Sequence, residues 1–381
     1  MGQRRDFVER AKKGETVSAL CREFGVSRQT GHKWMKRFEE HGYEGLEERS
    51  RRPASAPLAT AEDVVLGVLT ERKRHPTWGP RKLAVILART LGEAAPSERT
   101  VARILKRAEL VRTRARRRPV NVVERAPVVT TTAPNETWTI DFKGWWLTRD
   151  GKRANPLTVR DGYSRFVLAI ALCLSTTEAV KAVLTKLFRR YGVPLRMQMD
   201  NGTPFISVRS PGGLSALSAW LMSLGITIVR SRPGSPQDNG AHERMHRDMS
   251  REVEALPADD AAAQQRALDR WRQDFNHIRP HEALKGKTPQ EVYKPRDKRP
   301  MASRQWRYPD GYETATVYSN GNLRVGGRSY FLGTALASHE VGIQHLSATK
   351  CRVWFRELDL GFLDLEPEVD DALYESVRLI G

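Results

Sequence analysis

Three acidic residues stand in short contexts that suit phosphoryl chemistry: Trp138-Thr-Ile-Asp141-Phe, Met199-Asp200-Asn201-Gly202 and Asn239-Gly240-Ala-His-Glu243-Arg244. Asp141 and Asp200 each close a run in which apolar and polar residues alternate. Each is therefore delivered near the C-terminal end of a strand, on the face opposite the apolar set. Glu243 opens a helix just behind Pro233-Gly-Ser-Pro-Gln-Asp-Asn-Gly240, a stretch too rich in turn residues for regular structure. Alone, each acid reads as a capped or solvated side chain. Together, in a strongly basic chain, they read as carboxylates that a cation must hold in place. Oxygen donors without a Cys/His cluster select Mg2+ or Mn2+ over zinc. Two such ions can activate an attacking oxygen and stabilise a leaving one in phosphodiester displacement. His242 and His246 flank Glu243 at helical spacing but find no partner at matching spacing, so phosphate contact or surface placement is expected of them. Arg244 can touch a DNA phosphate or pair with an acid.

The elements that must position these acids follow from pattern and punctuation. Strands are expected around Trp138–Phe142, in two runs between Pro156 and Leu174 joined by Asp161-Gly-Tyr-Ser164, over Leu195–Asp200, and over Ile226–Val229. Helices are expected over 177–191, 213–224, from Gly240 onward, and over 261–278. This mixture implies an α/β core with a partly parallel sheet. Beyond it, Asn320-Gly321 and Gly326-Gly327 punctuate short alternating strands at 323–325, 330–332, 341–343 and 352–355, read as a small β-barrel. Its near-neutral to acidic charge points to scaffolding or protein contact rather than to phosphate.

The charge says what the chain works on. The 381 residues carry a formal net charge of +19, and residues 1–120 hold +13 of it. Such asymmetry fits a polyanion partner, because basic side chains displace counterions condensed on a phosphate backbone. Residues 4–45 read as small helices around Phe24-Gly25-Val26-Ser27, where Gly25 supplies a left-handed turn and Ser27 caps the next helix. That is a helix-turn-helix with 28–38 as recognition helix, presenting Arg28, Gln29, His32, Lys33, Lys36 and Arg37. A second helical module runs from Thr60 to Val111, its third helix carrying Arg99, Arg103 and Arg107 away from the core. Arg112, Arg114, Arg116, Arg117 and Arg118 then form a run that suits a minor-groove arm or a solvated segment. No apolar run is long enough to span a bilayer, and Met1 to Lys13 does not resemble a signal peptide. Cys21, Cys173 and Cys351 are too scattered for a disulfide framework, so a reducing compartment, the cytoplasm, is expected.

The three acidic motifs, in this order, resemble the Asp-Asp-Glu signature of bacterial insertion-sequence transposases with a retroviral-integrase-like core. Phe275-Asn-His-Ile-Arg-Pro-His-Glu-Ala-Leu284 and Thr288-Pro289 resemble the motif that follows the core in that family. Ala19-Leu20, Gly25-Val-Ser and Trp34 match its first helix-turn-helix. Trp78-Gly79, Arg81-Lys82-Leu83, Pro96-Ser97 and Thr100-Val101 resemble its second. The likeness covers roughly residues 5–295. It implies a multidomain protein with all-α helix-turn-helix modules, an RNase H-like core and Asp141, Asp200 and Glu243 binding two divalent ions. The activity implied is 3′-end cleavage and joining to target DNA, with no small-molecule substrate and no membrane. The partners implied are double-stranded DNA and a second copy of the chain in a homodimer or higher oligomer, and the setting is a bacterial nucleoid. The expected domains are 1–50 and 58–118 for DNA binding, 119–133 as linker, 134–298 as core, 300–367 as β-barrel and 368–381 as tail. The gap from Asp200 to Glu243 is longer than usual in the family, through an insert around Val208-Arg-Ser-Pro-Gly-Gly213, and the zinc domain of retroviral integrases is absent. Two other readings stay open: a catalytically silent DNA-binding regulator and an RNase H-like nuclease.

Overall fold

A computed structural model describes residues 2–48, 60–111, 129–207, 210–232, 239–294 and 298–365. The arginine run 112–118 and the loop 233–238 before Glu243 lie outside the described residues. The chain divides into two compact units, Met1–Ala61 and Glu62–Gly381.

The first unit packs α1 (Gly2–Lys12), α2 (Val17–Glu23) and α3 (Arg28–His41) on a core of Phe7, Val8, Leu20, Cys21 and Leu46. Gly25 takes the turn at φ +63°, and the Ser27 side chain accepts a hydrogen bond from the Thr30 N–H at the start of α3. This cap contributes about 1 kcal/mol. The helices cross closely at Gly31, where an added Cβ would lie 2.5 Å from Cys21 Sγ and 2.9 Å from Phe7 Cζ. Gly31→Ala should therefore overpack the turn and destabilise this unit by about 1–3 kcal/mol, read by thermal melting of the full chain. A melt unchanged from wild type would show that α2 and α3 can separate at no cost.

In the second unit, α4 (Glu62–Arg74), α5 (Pro80–Leu91) and α6 (Glu98–Arg107) enclose Val68, Trp78, Leu83, Leu87, Val101, Ile104 and Leu105. Pro80 starts α5 where its missing N–H costs nothing, and Ser97 caps α6 by accepting from Thr100 N–H. A five-stranded sheet follows, ordered β5-β4-β1-β6-β7. Its strands are β1 (Thr137–Phe142), β4 (Pro156–Asp161), β5 (Val167–Leu172), β6 (Arg196–Met199) and β7 (Thr227–Arg230). β4 and β5 pair antiparallel, while β1, β6 and β7 run parallel, with α7 (Thr177–Tyr191) and α8 (Ala216–Ser223) as the crossovers. A short hairpin, β2 (Trp146–Leu147) with β3 (Arg153–Ala154), leaves the end of β1.

The two faces of this sheet are built differently. One face sets Trp138, Ile140, Leu157, Val159, Met197 and Met199 against α7 and α8. The other is covered by α9 (Gly240–Met249) and α10 (Ala261–Gln273), which bury Met245, Met249, Leu268, Trp271 and Phe275 with Trp146, Val167 and Ile170. Each of these helices runs on into one wide π turn, at Ser250–Glu254 and Asp274–Ile278. A one-turn helix, α11 (Pro289–Val292), begins at Thr288 with a reciprocal cap from Glu291.

The C-terminal part departs from the expected barrel. Its described strands form two open sheets: β9 (Asn322–Val325) with β10 (Arg328–Phe331), and a four-stranded sheet of β8 (Glu313–Thr316), β11 (Glu340–His345), β12 (Lys350–Phe355) and β13 (Leu358–Asp364) in the order β13-β12-β11-β8. Closure is unnecessary because Leu214, Ala219 and Met222, around α8, complete the same core as Val341, Ile343, Val353 and Leu360. The insert after Asp200 contributes here too. Pro211 is buried, and a Cβ on Gly212 would lie 2.9 Å from Leu358.

Candidate active site

Asp141 and Asp200 are brought together by strand register. β1 and β6 are parallel with Ile140 opposite Met199, so the two acids occupy the next positions along adjacent strands, about 4.8 Å apart in backbone spacing. Asp141 is the last polar residue of β1 on the α9 side and its side chain is 22% exposed. Asp200 lies just past β6, is exposed, and accepts the Asn201 N–H at 2.7 Å. Glu243 projects from the first turn of α9 and is exposed. The burial of Asp141, the nearby charge of Asp200 and the more distant charge of Glu243 raise the Asp141 carboxyl to about 7. All three acids thus lie within electrostatic reach of one point. Among the described residues, the one ionisable nitrogen at ion-pair distance from Asp141 is His246 Nδ1, at 3.9 Å. Burial, reinforced by Lys143 and Arg160, keeps that ring neutral, with its pKa lowered to about 3.

The histidines sit elsewhere than expected. His242 is fully buried and His246 nearly so, because α9 sets His242, Met245, His246 and Met249 on the stripe that faces the sheet. Thr158 Oγ1 donates to the Asp141 carbonyl at 2.9 Å and lies 2.6 Å from His242 Nε2 and 2.8 Å from His246 Nε2. Its one proton being spent, Thr158 accepts from both rings, so each carries its hydrogen on Nε2. His242 Nδ1 then accepts from Thr139 Oγ1 at 2.9 Å, and His246 turns a bare Nδ1 toward Asp141. This threonine–histidine layer ties β1, β4 and α9 together directly behind Asp141. The stripe His242, Met245, His246, Met249 was the signal in the sequence for it.

The other expected residues fall as follows. Arg28, Gln29, His32, Lys33 and Lys36 are exposed on α3, and Arg37 is half-buried there. Arg99, Arg103 and Arg107 are exposed along α6, and Arg244 is exposed beside Glu243. Asp161, read as a turn residue, is wholly buried and accepts from Ser164 N–H and Oγ and from Asn135 N–H. Asp248, on α9, pairs with the buried Arg279 at 2.7 Å. Arg279 also bonds Glu252 and lies against the rings of Trp78, Trp271 and Phe275. The Phe275–Leu284 motif is thus a clamp: Asn276 bridges the backbone N–H and carbonyl of Val167 at 2.8 and 2.9 Å.

A divalent cation suits the donor chemistry, since the charges of Asp200 and Glu243 both act on Asp141 and no cationic side chain among the described residues pairs with it. The acids do not close to ligand spacing: among the described residues no three His, Cys, Asp or Glu side chains form a metal-holding group. The raised Asp141 pKa has its own consequence. The folded state holds this proton up to about pH 7 and the unfolded chain releases it near 4, so the stability contributed is present at low pH and lost as pH rises through 7. Asp141→Asn should accordingly raise the melting temperature at pH 8 more than at pH 5, by about 2–4 °C for each kcal/mol of relieved burial penalty and repulsion. An equal shift at both pH values would place the carboxyl outside the field of its neighbours.

An integrase core and two helical DNA-reading modules define the class of this protein. Two integrase core domain families match residues 131–236 and 224–289, and a helix-turn-helix domain and a homeodomain-like domain match 3–54 and 30–105. The chain is 30% identical over 223 residues to the insertion element IS407 uncharacterized 31.7 kDa protein of Burkholderia multivorans, covering 58% of this chain and 76% of that one. It is 25% identical over 271 residues to the insertion element IS476 uncharacterized 39.2 kDa protein of Xanthomonas euvesicatoria, covering 71% and 75%. The catalytic core domain of BIV integrase aligns with 42% of this chain and 93% of its own length at 26% identity, with a TM-score of 0.33. The chain belongs to the insertion-sequence transposases with an integrase-like core. No helix among the described residues is long and apolar enough to cross a membrane.

Proposed function

We propose that this transposase recognises the ends of its element and catalyses metal-dependent 3′-end cleavage and strand transfer, with Asp141, Asp200 and Glu243 as the catalytic acids. The observation that carries the reading is strand register, which sets Asp141 and Asp200 at the ends of adjacent parallel strands; burial, then the charges of Asp200 and Glu243, raise the Asp141 carboxyl. Mg2+ or Mn2+, two ions held by these three acids, would supply the charge neutralisation and oxygen activation that phosphodiester displacement requires. The chain's residues do the positioning. Thr158 holds the Asp141 carbonyl, the two histidines hold Thr158, and Arg279 holds the helix that carries Glu243 through Asp248. Arg28, Gln29, His32, Lys33, Lys36 and Arg37 read one DNA groove, and Arg99, Arg103 and Arg107 a second site, while Arg244 and the run from Arg112 to Arg118 grip backbone. Residues 1–50 and 58–118 serve as recognition domains for a core at 134–298. Bringing two element ends together requires at least a dimer, and the work is done in the cytoplasm, on the nucleoid.

A labelled duplex of the element end tests this by changing the ion. Mg2+ and Mn2+ should support cleavage, whereas Ca2+, larger and looser in geometry, should permit binding with little cutting. Full cleavage in chelator would exclude the metal-held acids, and metal-dependent nicking without end preference would make the protein a nuclease.

A further inference from the structure

Arg160 is a buried charge that stands in no ion pair among the described residues, with the Asp161 carboxyl as its nearby opposite charge. It lies on β4 opposite Thr139, on the α9 side of the sheet, and is only 4% exposed. Its Nε has no hydrogen-bond partner, and among the described residues no carboxylate is ion-paired to it. Asp161, its chain neighbour, spends its oxygens on Ser164 and Asn135. Burial of an unpaired guanidinium costs several kcal/mol, and arginine cannot escape by losing its proton.

Other cations crowd the same place. The segments are tied by direct contacts: Asn276 to the backbone of Val167, Arg279 to Asp248 on α9 and to the Trp78 ring, and Arg81 at the start of α5 to Glu282. These ties gather Arg165, at the β4–β5 turn, Arg244, on α9, and Lys82, on α5, whose Nζ lies 5.9 Å from the Trp78 ring centroid. Arg165 and Lys82 are half-buried, and among the described residues neither they nor Arg244 stand in an ion pair. Burial lowers the pKa of Lys82, Arg165 and Arg160; repulsion adds to it, from Arg279 and more weakly Arg244 on Lys82, from Arg244 on Arg165, and from Arg165 on Arg160. Asp248 and Glu252 favour the charged form of Lys82 but are themselves ion-paired to Arg279.

We propose that Lys82, Arg160, Arg165 and Arg244 form an anion pocket between the second helical module and the catalytic core, and that its occupant is a phosphate of the DNA strand entering the active site. Arg244 is next to Glu243, so one phosphodiester backbone running past the acids reaches the pocket. The assignment rests on the transposase reading for its DNA, and on the unbalanced charge for its place. An anion there offsets the burial penalty of Arg160, and the pocket spans two parts of the chain that must agree on where the DNA lies.

The test compares the full chain with Arg160→Gln and with the double variant Arg165→Gln/Arg244→Gln, using a fluorescent duplex of the element end titrated across salt concentrations, and melting without DNA. Each lost phosphate contact should lower the salt slope of log K by about 0.9, with a roughly tenfold loss of affinity near 0.1 M salt. Without DNA, Arg160→Gln should melt at or above the wild-type temperature, since a buried charge in no ion pair is removed. A structural arginine would lower it. Unchanged salt slopes in both variants overturn the proposal, as does a large loss of stability in Arg160→Gln with DNA binding intact in the double variant. Inorganic phosphate is run as a separate arm: if it stabilises wild type but not the variants while the DNA slopes stay equal, the pocket serves a free anion and the DNA assignment is overturned. Wild-type protein that binds no DNA at all would instead sink the transposase reading itself.

Discussion

Asp141→Asn, Asp200→Asn and Glu243→Gln should each lower end cleavage and joining by about 10³-fold or more while leaving DNA binding within about twofold of wild type. Each substitution keeps the side-chain volume and removes one negative oxygen donor. Charge stabilisation by a bound ion in phosphoryl transfer is worth several kcal/mol, and every 1.36 kcal/mol is tenfold in rate. Cleavage and joining should fall together, because positioning and charge serve both steps. Binding should survive because α3 and α6, the helices proposed to recognise DNA, precede these acids in the chain and do not include them. Asp161 cannot serve as a control for chemistry: it is wholly buried and caps its own turn, so Asp161→Asn probes folding. Asp269, on α10 and among the described residues paired only with Arg272 at 3.8 Å, is a better control acid. Gel-based cleavage with anisotropy on the same duplex measures both quantities. Near-wild-type cleavage by Glu243→Gln would remove it as the third acid.

Arg279→Ala should destabilise the second unit by about 3–5 kcal/mol, the cost of breaking a buried ion pair and stranding its partners. The guanidinium is 3% exposed, bonds Asp248 at 2.7 Å and also Glu252, and packs against three aromatic rings. Removing it leaves two carboxylates without a cation, and takes away the support beneath Trp78. Arg279→Lys keeps the charge but cannot span both acids, so its loss should be intermediate. Asp248→Asn should cost less than Arg279→Ala, since Glu252 still holds the arginine. Urea denaturation followed by tryptophan fluorescence reads all three. A change under about 1 kcal/mol for Arg279→Ala would mean that the clamp is peripheral.

The parts of this fold legible in the sequence were those fixed by local chemistry. Gly25 and Ser27 mark the helix-turn-helix because a left-handed residue and a cap act within a few positions. The α7 helix, Thr177–Tyr191, follows from its apolar spacing, and the alternation Met197, Met199 announces β6. Asp141 and Asp200 could be read as strand-end acids, though their adjacency depends on β1 and β6 being parallel neighbours, which alternation does not encode. The polar contents of the α9 side were hidden for a related reason. Thr139, Thr158, Arg160, His242 and His246 look like solvated residues until α9 is laid across them. Asp248 and Arg279 are likewise ordinary surface types, 31 residues apart, until the clamp closes. The open C-terminal sheets escaped for want of a partner: the expected barrel supplied closure within the segment, whereas α8 supplies it from the core. The candidate acids were therefore readable in the sequence, and what holds them in place was not.

The most direct measurement combines full-length protein, a 3′-end-labelled duplex carrying the element's terminal repeat, a supercoiled target plasmid and Mg2+. The account predicts that label becomes covalently joined to plasmid through the 3′ end of the element, that chelator stops the reaction, and that Asp141→Asn binds the duplex without joining it. Tight, end-specific binding by the wild-type chain with no covalent product in Mg2+ or Mn2+ would contradict it, and would make this chain a DNA-binding regulator.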